Sequence, residues 1–226
     1  MKIGILQTGH APDAVQADGG DYPAMFARIL DGQGFEFQTY DVTAMQFPAA
    51  PDDCDGWIIT GSRHGAYEPH PWIAPLEQLI RDIYAAHRPL VGVCFGHQII
   101  AQALGGTVEK FSGGWSAGKV DYQFDDGRTM AMNAWHQDQV TRLPKGARTI
   151  ARSDFCEHAA LIYGDDILTI QPHPEFDGTT IGHLIDIRGD LLPPDVLDRA
   201  RAGLDQPTDA GDFANQMAQF LKRGAK

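Results

Sequence analysis

The run Val91-Gly92-Val93-Cys94-Phe95-Gly96-His97-Gln98-Ile99-Ile100-Ala101 constrains the fold more than any other part of this chain. A β-rich stretch, Pro89-Leu90-Val91-Gly92-Val93, ends at a cysteine, and a helical run begins at once. Glycines stand two residues to either side of that cysteine. The spacing fits a sharp strand-to-helix turn whose central residue is held in a strained backbone conformation. Side chains at the two flanking positions would collide in such a turn, which accounts for Gly92 and Gly96. The turn lifts the sulfur clear of the sheet and sets it at a helix N-terminus, where partial positive charge favours a thiolate. A buried structural cysteine beside two turn glycines would leave the same pattern, so a second signal is needed.

That signal lies at Gln171-Pro172-His173-Pro174-Glu175. Prolines on both sides of His173 exclude a helix and favour extended backbone. Residues i and i+2 of an extended segment point to one face, so His173 and Glu175 can sit side by side. A carboxylate next to an imidazole fixes its tautomer and supports the imidazolium, and the imidazole can take or hold a thiol proton. Nucleophile, base and orienting acid are then Cys94, His173 and Glu175. A single loop histidine is common for other reasons. It is the combination with the cysteine turn that points to covalent catalysis.

Together these two segments resemble the class I glutamine amidotransferase family. Two further stretches fit it, in the family's order. Ile58-Ile59-Thr60-Gly61-Ser62 matches its strand and oxyanion loop, and Trp135-His136-Gln137-Asp138-Gln139-Val140 matches its S-H-x-D-x-V segment. The likeness runs from about Met1 to Leu192. It looks nearest to the stand-alone branch that is similar to the glutaminase domain of GMP synthase and to plant γ-glutamyl peptidases, of which Gly114-Trp115-x-x-Gly118 is reminiscent.

The resemblance implies a mostly parallel open sheet flanked by helices, of flavodoxin-like type. It implies attack by Cys94 on the γ-carbonyl of glutamine or a γ-glutamyl compound, with a γ-glutamyl thioester as intermediate. An oxyanion formed there needs donors fixed in advance. One is the amide of Phe95, directly after the nucleophile; the other comes from Gly61-Ser62. The family usually has a second glycine where Ser62 stands, and a backbone amide suffices. By the same resemblance Gln98 binds the substrate's α-amino or α-carboxylate end, and Trp135, His136 and Gln137, with Asp138, belong to a substrate loop. His97 is expected to be structural. Arg63, His64, Tyr67 and Trp115 are candidates for the entrance.

Length and composition agree. A chain of 226 residues supports one domain with a substantial core. Its apolar content of 43% and charged content of 21% are those of a water-soluble globular protein. A net charge of −12 repels phosphate backbones and argues against nucleic-acid binding. Cys54, Cys94 and Cys156 are scattered and odd in number, against a disulfide framework or a cysteine-rich zinc site. No metal and no cofactor are expected, and a Cys94, His97, His136 metal site would leave both main motifs unexplained. Neither a P-loop nor a dinucleotide-binding glycine motif occurs. No apolar run approaches the roughly 20 residues of a membrane span. No signal-peptide pattern opens the chain. The expectation is a cytoplasmic protein.

Along the chain, Lys2 to Gln7 reads as a buried strand and Asp21 to Gln33 as a helix, with Tyr22, Met25, Phe26, Ile29 and Leu30 at helical spacing. Strands are expected at Phe35 to Tyr40, Asp55 to Thr60 and Leu90 to Val93, and helices at Pro71 to His87 and Phe95 to Leu104. Short strands follow, among them Gly118 to Phe124, Thr149 to Arg152, His158 to Tyr163 and Ile167 to Ile170. Such alternation implies a mainly parallel sheet whose ligands bind at the carboxyl ends of its strands. Residues 1–192 form the expected domain. Residues 193–226 form a helical extension, with Phe213, Met217, Phe220 and Leu221 on one face that either packs on the domain or meets a partner.

Three functional readings follow. The chain releases ammonia for a separate synthetase or acceptor protein; it hydrolyses γ-glutamyl compounds alone; or it keeps the fold as a non-catalytic binding protein. A small-molecule substrate is expected in the first two, and a homodimer is left open.

Overall fold

The computed structural model describes residues 1–223; the final three residues of the expected extension lie outside the described residues. The first half alternates strand and helix: β1 (Lys2–Gln7), α1 (Asp13–Gly19), α2 (Tyr22–Ile29), β2 (Glu36–Asp41), β3 (Gly56–Ile59), α3 (Ile73–Ala85), β4 (Leu90–Val93) and α4 (Phe95–Ala103). Strands dominate next: β5 (Thr107–Lys110), β6 (Ser116–Phe124), β7 (Thr129–His136), β8 (Asp138–Arg142), β9 (Ala147–Arg152), β10 (Ala160–Tyr163) and β11 (Ile167–Ile170). Helices α5 (Gly178–Arg188), α6 (Pro194–Ala202) and α7 (Ala210–Arg223) close the chain.

Nine strands form one mixed sheet in the order β2-β1-β3-β4-β11-β10-β9-β6-β7, and β5 pairs with β8 in a small second sheet. The five strands from β2 to β11 run parallel, and β10, β9, β6 and β7 extend the sheet antiparallel. This is the mostly parallel, helix-flanked sheet anticipated from the sequence. The parallel strands are buried on both faces. On one side Ile3, Ile5, Ile58, Val91 and Val93 pack with Phe26 of α2 and with α7. On the other, Leu6, Trp57, Ile59 and Leu90 meet Leu76, Ile80 and Ile83 of α3 and Phe95, Ile99 and Ile100 of α4. That alternation is the two-residue period of a strand covered on both faces.

The apolar face of α7 is committed to the core. Phe213, Met217 and Leu221 are each no more than 1% exposed, and Phe220 is buried with them. A third cluster joins α1, α5 and α6 to Trp135 and Phe176.

Some elements differ from the sequence reading. Helix α3 begins at Ile73 rather than Pro71, because His70-Pro71-Trp72-Ile73 forms a turn in which Ile73 N–H donates to the His70 carbonyl at 3.1 Å. Helices α1 and α5 were not anticipated. The sequence of α5, GTTIGHLIDIR, carries two glycines and β-branched residues that lower helix propensity. It is held by its cap, Asp177, whose carboxylate accepts the Thr180 N–H at 2.8 Å, and by burial of Ile181, Leu184 and Ile185.

Candidate active site

Three adjacent parallel strands, β3, β4 and β11, deliver the candidate residues from their carboxyl ends. After β4 the backbone turns so sharply that Cys94 adopts φ 51°, ψ −103° and Phe95 already starts α4. The flanking glycines are steric necessities. A Cβ on Gly92 would stand 2.7 Å from the Gly96 carbonyl group, and a Cβ on Gly96 would stand 2.3 Å from the Ile59 oxygen. The turn is tied to both neighbours. Cys94 N–H donates to the Ile170 carbonyl of β11 at 2.9 Å, and Gly96 N–H to the Thr60 carbonyl at 3.1 Å.

The His173 segment leaves β11 and is clamped by β7. His173 N–H donates to the Asn133 carbonyl at 2.8 Å, and the Asn133 amide donates to the Phe176 carbonyl at 2.9 Å. Only this bridge is sheet-like; a turn follows at once, with Phe176 N–H reaching back to the His173 carbonyl at 3.4 Å. The expected side-by-side arrangement is present. His173 Nδ1 and Glu175 Oε1 are 2.7 Å apart, with both side chains buried. The Phe176 ring stacks on the imidazole, 3.9 Å between centroids and 3° from parallel. Gly61 at the end of β3 faces the same point: its absent Cβ would be 2.8 Å from His173 Cε1 and 3.8 Å from Cys94 Cβ.

Burial pulls the His173 imidazole toward the neutral form, yet the negative charges of Glu175 and Cys94 outweigh it and push its pKa up to about 10. The neighbouring histidines go the other way. Burial draws His97 and His136 down to about 3, and the charged His173 adds to the effect on His136. One charged imidazole therefore sits among neutral ones, and it is the one beside the thiol. His97 is fully buried and bonded through Nδ1 to Thr169 at 2.8 Å, a structural placement.

The Gly61-Ser62 loop is fixed by hydroxyls. The Gly61 carbonyl accepts from Thr8 at 3.1 Å and from Thr60 at 3.0 Å, while Ser62 Oγ donates to the Thr8 carbonyl at 2.6 Å. A cleft of about 190 Å³ opens above Cys94. Its lining includes Ser62, Gln98, Trp135, His136, Gln137 and Asp138, along with the four entrance candidates Arg63, His64, Tyr67 and Trp115. Glu68, Lys110 and Arg188 also line it and were missed by the sequence reading. Asn133 was missed as well; its only signal was a polar residue in an apolar strand. Cys94, His97 and His136 do not form a metal-ligand cluster. Among the described residues the trio close enough to share an ion is His64, Glu68 and His70.

A thiol on a strained strand-to-helix turn, beside a charged imidazole–carboxylate pair, can perform nucleophilic displacement at a carbonyl. Residues 25–186 match the family Glutamine amidotransferase class-I, and the chain belongs to that family and is an enzyme of it. Among its relatives is gamma-glutamyl peptidase 4 of Arabidopsis thaliana, 27% identical over 222 residues, which cover 90% of this chain and 88% of that one. The glutamine-hydrolyzing GMP synthase of Thermosynechococcus vestitus is 34% identical over 169 residues, 70% of this chain but 30% of the synthase. In fold, a glutamine amidotransferase crystal structure from Methylobacillus flagellatus superposes with a TM-score of 0.80 at 21% identity, covering 99% of this chain and 94% of the other.

Proposed function

We propose that this enzyme hydrolyses the γ-amide of glutamine or of a γ-glutamyl compound through Cys94, His173 and Glu175. The observation that carries the reading is the convergence of the Cys94 turn, the His173–Glu175 pair at 2.7 Å and Gly61, whose missing side chain leaves room for the imidazole. The Cys94 thiolate attacks the γ-carbonyl carbon. The tetrahedral oxyanion is held by the amides of Phe95 and Ser62. Phe95 is the first residue of α4, where N–H groups lack intrahelical acceptors. The Gly61 carbonyl is bonded to Thr8 and Thr60, and in a trans peptide the Ser62 N–H points the opposite way. Collapse of the oxyanion breaks the C–N bond as His173 gives its proton to the leaving amine or ammonia. A γ-glutamyl thioester remains. His173 then takes a proton from water, the hydroxide displaces the sulfur, and glutamate leaves.

Substrate contacts follow from the hydrogen bonds already made. The Gln98 amide nitrogen donates to the Asp138 carbonyl at 2.9 Å and to Gln171 Oε1 at 3.1 Å. Its own oxygen is thus the group left for a ligand, and it suits the substrate's α-ammonium rather than its α-carboxylate. Trp135 lines the cleft, and its buried indole N–H has no acceptor of its own, so it is a donor a bound substrate could satisfy. Arg63, Lys110 and Arg188 supply positive charge for carboxylates, and Asp138 negative charge for the ammonium.

Likeness across 88% of a γ-glutamyl peptidase supports an enzyme that works alone. The chain's three free, buried cysteines suit a reducing cytoplasm.

Glutamate release from glutamine and a panel of γ-glutamyl amides and dipeptides tests the reading. We expect turnover of a γ-glutamyl dipeptide that Cys94→Ala lowers by at least about a thousandfold. Undiminished release by Cys94→Ala would refute the mechanism. Weak release combined with trapping of Cys94 by a glutamine-analogue electrophile would instead identify a subunit awaiting its acceptor.

A further inference from the structure

The loop between β3 and α3 carries a second set of chemistry-bearing side chains that the hydrolytic reading does not use. Glu68 Oε2 lies 2.7 Å from His70 Nε2 and 3.4 Å from His64 Nδ1, and the three ligand atoms all fall within 4.8 Å of one another. We propose that His64, Glu68 and His70 form a binding site for a divalent transition-metal ion of the zinc type at the mouth of the cleft.

The donor set is the first support. Two imidazole nitrogens and one carboxylate oxygen are a zinc ligand set, with a fourth position left to water. Hard ions such as magnesium and calcium call for oxygen-rich cages instead. Geometry is the second. Ligands about 2.0–2.1 Å from a tetrahedral ion lie roughly 3.3 Å apart. The His64–Glu68 separation already has that value, and the His70–Glu68 contact needs to open by about half an ångström. At 22%, 32% and 41% exposure, His64, His70 and Glu68 are open enough to admit an ion and covered enough to retain it.

Preorganisation is the third. A usable site needs its ligands held by surrounding contacts. Ala66, in the middle of the loop, is fully buried, and its carbonyl accepts from the Gln102 side chain of α4 at 2.7 Å. His64 N–H donates to Ser62 Oγ at 3.2 Å, and Glu68 N–H to the Gly65 carbonyl at 3.1 Å. His70 sits between Pro69 and Pro71, and its ring lies on Trp72 at 5.6 Å and 6°. Trp72 in turn packs against Phe95, next to the nucleophile. The net charge of −12 attracts cations to the chain as a whole.

The site's position gives it a consequence. His64 and Glu68 line the same cleft as Cys94, so an ion held there stands at the entrance and adds positive charge to it. The proposal does not depend on the γ-glutamyl reading, because the ion is detected without turnover.

The test uses untagged full-length protein titrated with Co²⁺, whose visible d–d absorption marks tetrahedral coordination, followed by displacement with Zn²⁺. One equivalent should bind to the wild type and to Cys94→Ala with the same spectrum. His70→Gln and Glu68→Gln should each weaken binding by at least about tenfold, with unchanged melting temperatures. Two variants are used so that misfolding of one does not decide the result. A spectrum that vanishes in Cys94→Ala would put the ion on the nucleophile and overturn the proposal. Binding unaltered in both loop variants, or no binding to any protein, would overturn it equally.

Discussion

Replacing Gly61 by alanine isolates the geometry of the site from its chemistry. Gly61 has no positive φ, so the backbone accepts alanine, and the whole effect comes from the added Cβ. That carbon would stand 2.8 Å from His173 Cε1, where ordinary contact begins at 3.4 Å, so the ring must retreat by about 0.6 Å. It has nowhere to go without loss. Phe176 covers its face at 3.9 Å, Glu175 holds Nδ1 at 2.7 Å, and Asn133 holds its backbone at 2.8 Å. Overpacking of this kind costs about 1–3 kcal/mol, small against the roughly 5–15 kcal/mol that keeps a domain folded. A displacement approaching 1 Å at a reacting group costs on the order of a hundredfold in rate. Glutamate release by Gly61→Ala should therefore fall about a hundredfold in kcat/KM, while the melting temperature drops by only a few degrees. Gly211→Ala is the control, since nothing lies within 4 Å of its Cβ position and its φ is not positive. Activity of folded Gly61→Ala within about threefold of wild type would refute the claim that His173 and Gly61 share a tightly fitted catalytic site.

Glu175→Gln should move the alkaline limb of the rate profile to lower pH and slow the reaction roughly tenfold at neutrality. The sign follows from the raised pKa of His173. Below its unfolded value of 6.5 the imidazolium's contribution to stability is fully present, and it is lost as pH rises through about 10. Melting temperatures of wild type and Glu175→Gln measured across that window should converge toward its upper end, and a constant difference would contradict the pairing. Trp135→Phe keeps the ring and removes the free indole donor. It should raise KM about tenfold with little change in kcat, and an unchanged KM would show that the substrate does not use that N–H.

Much of the candidate site was legible because its constraints are local. Gly92 and Gly96 are required by contacts of 2.7 and 2.3 Å around one turn, and such constraints leave a fixed spacing in the sequence. His173 and Glu175 are two residues apart on a proline-bounded segment, so their contact needs no knowledge of the sheet. The rest depends on pairing. Apolar periodicity identifies β9, β10 and β11, but it does not say that β9 lies between β10 and β6, or that this half runs antiparallel. Lys110 reaches the cleft from β5 through its pairing with β8, and Arg188 from α5, whose composition disguises a helix. The signal for α5 was nevertheless present, in Asp177 as cap and Ile181, Leu184 and Ile185 at helical spacing. Glu68 and His70 stand on either side of Pro69 with no pattern that marks them; only the folded loop brings them to His64.

The pairing of β4 with β11, with Val93 opposite Ile170, also has a kinetic meaning. It joins segments nearly eighty residues apart, a contact of the kind that forms slowly because a long loop must close first. Until it forms, the thiol has neither its strained turn nor its charged imidazole. Heightened alkylation of Cys94 during refolding would therefore time the closure of the central sheet, so the nucleophile serves as a built-in clock for assembly of the fold.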